Sequence, residues 1–218
     1  MATCDRSSNV MLSDDLTEAL AALRQADPIM ARAIDAIGTP VIRHRPPGYA
    51  GLFRIIVEQQ VSVASARSIM TRCDTRLGSS LKSQQVLDLT EEDLRKCGLS
   101  GPKIRYVRAV AEAEQSGQLN LATLKSLNDR DAAAHLTAIK GVGPWTAGIY
   151  LLFCDGRPDI WPSGDVALLA AYCAASGMTV KPPMKQFDEG AARFSPYRGI
   201  AAHCLWTYYG KLKGRAPN

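Results

Sequence analysis

The sequence predicts an all-α protein of about ten helices, and three observations support this prediction. Apolar residues recur at helical spacing through nearly all of the 218 residues. No run alternates apolar and polar residues for long enough to indicate a β-strand. Residues typical of helix caps flank most of the periodic segments and follow one another closely. A bundle of short helices is therefore expected.

The first strongly apolar helix is predicted over residues 48–60, GYAGLFRIIVEQQ. Ser62 is a good N-cap for the next helix, VASARSIMTRCDTRL, which Gly78 ends. The turn between these two helices consequently carries Gln59, Gln60 and Val61.

The middle of the chain has similar boundary signals. Thr90 and the three acidic residues after it resemble a capping box, and Gly98 ends that short helix. Pro102 suits the first turn of a helix that runs to about Gln115. Asn128 is the N-cap expected for the helix that follows.

Two further helices are expected toward the C-terminus. Asp165 opens the apolar segment VALLAAYCAASG, which ends at Gly177. Ser195-Pro196 opens a last helix that runs to Tyr209. Proline-rich connections are candidate domain junctions, at residues 40–48 and 156–164.

Composition limits the classes of protein that the chain can belong to. Apolar runs such as IYLLF and VALLAAY are far shorter than a membrane span, and MATCDRSSNV has no apolar signal-peptide core, so a cytoplasmic protein without a membrane partner is expected. If the source is bacterial, association with the nucleoid is expected, because a net charge of +5 permits an anionic partner such as nucleic acid. Six cysteines without a CxxC pair argue against a zinc or iron–sulfur site and favour buried free thiols.

The stretch IKGVGPWTAG, residues 139–148, interrupts two helices with two glycines. Glycine tolerates positive φ and close approach to its backbone, so helix–Gly-x-Gly–helix makes a tight turn with exposed amides. Such amides, with the N-terminus of the second helix, favour an anion such as a phosphate. A purely structural turn is the alternative, with Gly141 as a C-cap and Pro144 at the first helical position.

The longer pattern Leu136-x-x-Ile139-x-Gly141-Val142-Gly143-x-x-Thr146-Ala147 resembles the helix–hairpin–helix motif of DNA-binding proteins. Gly164-Asp165 follows after an apolar helix and a proline-containing loop. With IVEQQVSVASA, GLSGPKIRYVRAVA and SPYRGIAAHCLW, these segments are similar, in the same order, to the helix–hairpin–helix DNA glycosylase superfamily. The similarity covers residues 48–209 and is greatest to the bacterial 3-methyladenine DNA glycosylase II type. Residues 1–47 are too few for the N-terminal sheet domain of longer members.

This resemblance implies a two-lobed, all-α enzyme with a cleft between its lobes. Residues 50–160 would form a helical barrel that carries the hairpin, and residues 1–49 with 161–218 would form the other lobe. The cleft would hold Asp165 and Trp145. The implied activity is excision of alkylated purines, such as 3-methyladenine and 7-methylguanine, from double-stranded DNA in base excision repair, by a monomer.

The resemblance also implies how the reaction proceeds. Breaking an N-glycosidic bond leaves positive charge on the sugar, which a carboxylate stabilises. Asp165 matches the catalytic aspartate of the family, although a plain N-cap is the alternative. Bifunctional members carry a lysine two positions after the last hairpin glycine, and this lysine attacks the sugar. Trp145 occupies that position here, which implies a monofunctional glycosylase that needs no cofactor for catalysis.

Two tryptophans match residues that line the base pocket in the family. N-alkylated purines are cationic, and the face of an aromatic ring attracts a cation. Trp145 and Trp206 are the matching residues, and core packing is the alternative for both. Val166 stands directly after Asp165, where the bacterial prototype has an aromatic residue, so the range of lesions stays open.

DNA contacts are implied for the hairpin and for one turn between helices. Gln60 matches the wedge that fills the gap left by a flipped nucleotide, and a surface residue at a helix end is the alternative. The hairpin contacts are expected at Gly141, Val142, Gly143, Trp145 and Thr146, chiefly through the amides of Gly141, Gly143 and Trp145.

Other hairpin and surface residues receive roles by position. A structural sodium or potassium ion would be held at the hairpin by the backbone carbonyls of Thr137, Ile139 and Val142. Lys103 and Arg105 are expected at the solvated surface, and added positive charge for DNA binding is the alternative. Arg198 is expected in a structural ion pair or a cap contact.

Three other functions stay open from the sequence. One is a glycosylase for deaminated or oxidised bases, which are neutral lesions. The second is a helix–hairpin–helix protein that binds DNA without chemistry. The third is a structural helical protein in which the motifs occur by chance.

Overall fold

The computed structural model describes residues 13–78 and 81–214; Cys4 and the stretch MATCDRSSNV lie outside them. Within these residues the chain forms twelve α-helices and two short 3-10 helices, and no β-strand. The all-α prediction is confirmed, with slightly more helices than the ten expected.

In chain order, the helices are α1 (Ser13–Ala26), α2 (Pro28–Ile37), α3 (Tyr49–Glu58), α4 (Val63–Leu77), α5 (Ser83–Asp88), α6 (Glu91–Lys96), α7 (Gly101–Gln115), α8 (Asp129–Thr137), α9 (Pro144–Phe153), α10 (Val166–Ser176), α11 (Met184–Gly190) and α12 (Arg198–Leu212). The 3-10 helices are Leu121–Ser126 and Ala191–Phe194. No helix of the described residues is long and apolar enough to cross a bilayer.

The chain divides into two compact units, which we call the terminal unit (residues 1–43 and 156–218) and the central unit (residues 44–155). In the terminal unit, α2 packs against α1, α10 and α12, and α10 packs against α12. Fully buried apolar side chains fill the space between these helices, among them Met30, Ile34, Leu168 and Leu205.

The central unit is built around α3, α7 and α9. Helix α3 packs against α4, α7 and α9, while α5 and α6 pack on α7, and α8 packs on α9. Phe53, Val107 and Leu136 are fully buried at these contacts. Replacing a buried phenylalanine such as Phe53 with alanine would cost about 3–5 kcal/mol, because the cavity left behind collapses only in part.

Most predicted boundaries are confirmed because the cap residues make the expected hydrogen bonds. The Ser62 hydroxyl accepts from the Ser65 amide at 3.1 Å, and Thr90 forms a capping box with Asp93. The Asn128 side chain accepts from the Asp131 amide at 2.9 Å.

The last helix departs from its predicted boundaries at both ends. It begins at Arg198 rather than at Ser195-Pro196, and it continues to Leu212, beyond Tyr209. The Ser195-Pro196 peptide bond is cis, and this pair precedes the helix as part of the connection from the 3-10 helix.

The five described cysteines are buried free thiols, as predicted. Burial raises the pKa of Cys73, Cys154 and Cys204 to about 12 each, so these side chains stay protonated near neutral pH. Among the described residues, no group of histidine, cysteine and acidic side chains is arranged to hold a metal ion.

Candidate active site and nucleic-acid interface

The hairpin (residues 139–143) joins α8 to α9 in the central unit, and its two glycines play different structural roles. Gly141 has φ +91°, in the left-handed region that favours glycine. A Cβ added there would lie 2.3 Å from Cγ of Tyr106. Gly143 has an ordinary φ of −83°, and a Cβ added to it would meet nothing within 4 Å. Gly141 is therefore required by the fold, whereas Gly143 leaves open space beside an exposed backbone.

The hairpin amides divide into those used internally and those that donate no hydrogen bond. The Val142 amide donates to the Ile139 carbonyl at 3.0 Å, and the Val142 side chain is buried. The amides of Gly141 and Gly143 donate to no acceptor among the described residues. The predicted DNA contact of Val142 therefore cannot use its amide, because that donor is already paired.

Thr146 lies inside the central unit rather than at its surface. The residue is 3% exposed, and its hydroxyl accepts a hydrogen bond from Nε2 of Gln59 at 2.7 Å. The structure therefore leaves little of Thr146 exposed for the DNA contact predicted for it. Trp145, its neighbour in the first turn of α9, is half-buried.

An open depression of about 500 Å³ lies along the hairpin and includes the three residues predicted to hold a cation. Its lining residues include Tyr106, Thr137, Ile139 and Val142. The Ile139 carbonyl accepts one hydrogen bond, from Val142, which leaves its second lone pair. No loop amide of the described residues donates to the carbonyls of Thr137 or Val142. The oxygen donors present suit a hard monovalent cation.

The turn between α3 and α4 places two adjacent glutamines in opposite environments. Gln59 reaches inward to Thr146 through the 2.7 Å hydrogen bond. Gln60 is exposed, with φ +53°, a conformation that residues other than glycine adopt rarely. Val61 and Val63 beside it are 37% and 59% exposed. The structure thus presents Gln60 to solvent, flanked by apolar side chains.

Lys103 is not at the solvated surface, so that prediction is wrong. Its side chain is 8% exposed, and its Nζ donates to the Val57 carbonyl at 2.5 Å. Desolvation by burial lowers the pKa of Lys103 below its ordinary value. Arg105, two residues further on, is exposed as expected.

Asp165 lies in the terminal unit and caps α10, so the N-cap interpretation is confirmed. Its Oδ1 accepts hydrogen bonds from the amides of Ala167 at 2.9 Å and Leu168 at 3.0 Å. Its Oδ2 accepts from the indole Nε1 of Trp206 at 3.3 Å. Capping engages one oxygen and leaves the other oriented by Trp206, so the cap does not preclude a chemical role.

The loop before Asp165 is held by two carboxylates. Asp188 on α11 accepts from the indole Nε1 of Trp161 at 2.9 Å and from the Gly164 amide at 3.0 Å. Asp159 accepts from Nε and Nη2 of Arg198, each at 2.9 Å, and from the Arg198 amide at 3.0 Å. The ion pair predicted for Arg198 is thereby confirmed.

The Asp159 carboxyl has a lowered pKa. Burial acts to raise it, but the hydrogen bonds from the Arg198 side chain and amide and from the Ser195 hydroxyl stabilise the anion and outweigh burial. The Asp159 carboxylate thus anchors the loop before Asp165 through its hydrogen bonds with Arg198 and Ser195.

Trp206 lies beside Asp165 in the terminal unit, and Trp145 belongs to the central unit. Trp206 is half-buried, and the ring of His203 meets it edge-on at a centroid distance of 5.7 Å. The structural roles of Asp188 and Gln59 were not predicted from the sequence. Asp188 holds the Gly164 amide, 24 residues away, and Gln59 holds the Thr146 hydroxyl, 87 residues away, so no local pattern indicates either contact.

The chain belongs to the HhH-GPD superfamily of base excision DNA repair proteins, because the model of that family matches residues 53–196. This span includes Gln59 and Gln60, the hairpin and Asp165. The family resemblance predicted from the sequence is confirmed.

Curated relatives carry related names. The chain is 31% identical over 172 residues to the alkylbase DNA glycosidase-like protein mag2 of Schizosaccharomyces pombe, covering 77% of this chain and 80% of that protein. It is 28% identical to DNA-3-methyladenine glycosylase 1 of the same yeast, covering 72% and 71%.

Solved structures share the fold. A DNA-3-methyladenine glycosidase from Bacillus halodurans is 29% identical and superposes with a TM-score of 0.77, covering 92% of this chain and 93% of that one. The Schizosaccharomyces pombe 3-methyladenine DNA glycosylase Mag1, solved with abasic DNA, gives a TM-score of 0.80 at 24% identity, covering 90% and 97%. At 24% identity, the similarity to Mag1 shows a shared fold and nothing further.

Proposed function

We propose that this protein is a monofunctional DNA glycosylase that hydrolytically excises alkylated purines from double-stranded DNA in base excision repair. The observation that carries the proposal is the Asp165 carboxylate, held by the amides of α10 through Oδ1 and by the Trp206 indole through Oδ2. The names of the relatives, which include alkylbase and 3-methyladenine glycosylases, agree with this substrate class.

Asp165 would stabilise the positive charge that develops on the sugar as the bond between C1′ and the base nitrogen breaks. The bonding electrons leave with the base, so a cationic alkylpurine departs as a neutral molecule and needs no acid. Water then adds its oxygen to C1′, and Asp165 accepts or relays the proton that the water loses.

The hairpin would bind the DNA backbone through its unpaired donors. The Gly141 and Gly143 amides are available for phosphate oxygens, and the N-terminus of α9 adds a favourable dipole. A sodium or potassium ion held by the carbonyls of Thr137, Ile139 and Val142 would supply further positive charge to that phosphate. Gln60 would occupy the space left by the flipped nucleotide.

Trp145 supports the monofunctional assignment, because it occupies the position where bifunctional members carry the lysine that attacks the sugar. Trp145 and Trp206 would offer aromatic faces to a cationic base. Treatment with borohydride during the reaction should therefore trap no covalent protein–DNA complex.

The proposal is tested by base release from methylated duplex DNA, comparing the wild type, Asp165→Asn and the surface control Glu189→Gln. Asparagine also caps helices well, so Asp165→Asn keeps the fold while removing the negative charge. We expect release to fall by at least ~10²-fold in Asp165→Asn only, by analogy with loss of other charge-stabilising groups. Strands should break only after alkaline treatment.

Three outcomes would redirect the assignment. Release by Asp165→Asn at the wild-type rate would remove Asp165 from the chemistry. Faster release of neutral deaminated or oxidised bases than of methylated ones would favour the alternative lesion class. Binding of duplex DNA without any release would leave only a helix–hairpin–helix binding protein.

A further inference from the structure

The turn that follows α3, residues 59–62, contains a residue in an unfavourable backbone conformation, and we call it the wedge turn. Gln60 has φ +53°, and it is the non-glycine residue with positive φ within the described residues. A left-handed L-residue costs roughly 1–2 kcal/mol and persists where the surrounding structure imposes it. The question is which contacts impose this conformation.

Two polar contacts flank the turn in the central unit, one part-buried and one buried. On one side, Nε2 of Gln59 donates to the Thr146 hydroxyl at 2.7 Å, which ties the turn to the first turn of α9. On the other, Nζ of Lys103 donates to the Val57 carbonyl at 2.5 Å. Val57 is in the last turn of α3, where carbonyls lack helical partners, so Lys103 caps the helix that leads into the turn.

We propose that Gln59 and Lys103 are positioning residues that hold the wedge turn so that Gln60 is presented to DNA in a fixed conformation. This inference rests on the glycosylase function proposed above. The partner of Gln59 is Thr146, in α9, the helix that follows the hairpin. The Gln59–Thr146 hydrogen bond therefore links the residue proposed to insert into DNA to the hairpin proposed to bind a phosphate. A turn without these contacts would have to be ordered when DNA binds, and that ordering opposes binding.

A positioning role and a purely structural role for Gln59 and Lys103 predict different excision rates for base-paired and unpaired lesions. A wedge is needed only where the lesion must be taken out of a base-paired stack. Loss of positioning should therefore lower excision from a duplex and leave excision of the same lesion in an unpaired loop nearly unchanged. General destabilisation of the enzyme would lower both rates alike.

The experiment measures single-turnover release of a methylated purine from both substrates. Gln59→Leu and Thr146→Val remove the hydrogen bond with little change of shape, and Thr146→Ser keeps the hydroxyl. We expect the duplex rate to fall about three- to tenfold in the first two variants, the range for one lost buried hydrogen bond. Thr146→Ser, which keeps the acceptor for Gln59, should keep the wild-type ratio of duplex to loop rates.

The matched control is Gln115→Leu. Its Nε2 donates to the Ser83 hydroxyl at 2.8 Å, so the same type of hydrogen bond is lost in the same unit, away from the turn. Gln115→Leu should leave the ratio of duplex to loop rates at the wild-type value. An equal fall in that ratio for Gln115→Leu would overturn the proposal.

Two further arms test the mechanism directly. In a Gln60→Ala background, Gln59→Leu should lower the duplex-to-loop ratio almost no further, because Gln59 acts only by positioning the Gln60 side chain. A full additional decrease would refute the inference. Lys103→Met, which keeps the buried stem without the ammonium, should lower the duplex-to-loop ratio like Gln59→Leu. If the wild type releases no base from either substrate, the proposed function fails and this inference with it. Normal wild-type release with an unchanged ratio in Gln59→Leu refutes the positioning role alone.

Discussion

The two hairpin glycines should respond in opposite ways to the same substitution, Gly→Ala. At Gly141 an alanine must adopt φ +91°, which costs roughly 1–2 kcal/mol, and its Cβ would lie 2.3 Å from the Tyr106 ring. Overpacking of this kind typically costs about 1–3 kcal/mol more. At Gly143 φ is −83° and the space around the Cβ is open, so the fold gains no strain.

The expected loss for Gly141→Ala is therefore about 3 kcal/mol, combining both effects. For a chain of this size each kcal/mol lowers Tm by roughly 2–4 °C, so Tm should fall by about 6–12 °C. Gly143→Ala should melt within about 2 °C of the wild type, or slightly higher, because alanine restricts the unfolded chain.

Thermal unfolding followed by circular dichroism measures the stability of both variants, and binding to duplex DNA separates fold from function. Gly143→Ala should weaken binding even though it is stable, since its methyl group covers the exposed backbone proposed to meet a phosphate. Tyr106→Ala removes the ring but keeps the Cβ, which would itself lie 2.4 Å from the added methyl carbon, so it should recover only part of the steric loss in Gly141→Ala. Equal Tm values for the two glycine variants would refute this account of the hairpin.

Asp165, Asp27 and the hairpin each give one further prediction. Asp165→Ala should lose roughly 1 kcal/mol of stability relative to Asp165→Asn in urea unfolding, because only asparagine still caps α10, while both variants lose base release; equal stability would mean that the cap contributes nothing. Asp27 has a lowered pKa: burial opposes the shift, but hydrogen bonds from Tyr172 and two amides and the charge of Arg193 outweigh it. Its contribution to stability is therefore complete above its unfolded pKa of about 3.9 and is lost as the pH falls through its lower folded value, so Asp27→Asn should unfold with a shallower dependence on pH in acid. DNA affinity should fall with salt to the extent that lysine and arginine side chains neutralise phosphates, and Gly143→Ala should lower the affinity at every salt concentration; an unchanged affinity in Gly143→Ala would contradict phosphate binding by the hairpin.

Local patterns predicted the helices well because caps act over one turn of chain. Ser62, Thr90, Asn128 and Asp165 each accept hydrogen bonds from amides two or three residues ahead, so their role is visible in the neighbouring letters. The start of the last helix was misplaced because Ser195-Pro196 resembles a helix opening, whereas the chain makes a further connection before Arg198.

For the site residues too, local patterns could be predicted from the sequence, whereas contacts between distant segments could not. The hairpin glycines and Asp165 indicated the family only together with IVEQQVSVASA, GLSGPKIRYVRAVA and SPYRGIAAHCLW, because each of these local segments is visible in the sequence and their order adds to the resemblance. The sequence already placed Gln60 at the surface, but it did not predict that Gln59 turns inward, because the partner of Gln59 is Thr146, 87 residues away.

By itself, the sequence determined the all-α class, most helix ends, the hairpin and the superfamily, because these depend on backbone preferences and hydrogen bonds between near neighbours. Only the tertiary structure decided that Lys103 is buried against α3, that Asp188 holds the loop before Asp165, and that one oxygen of Asp165 meets Trp206. These contacts join segments between 24 and 46 residues apart, and which side chains meet at such distances depends on how the helices pack.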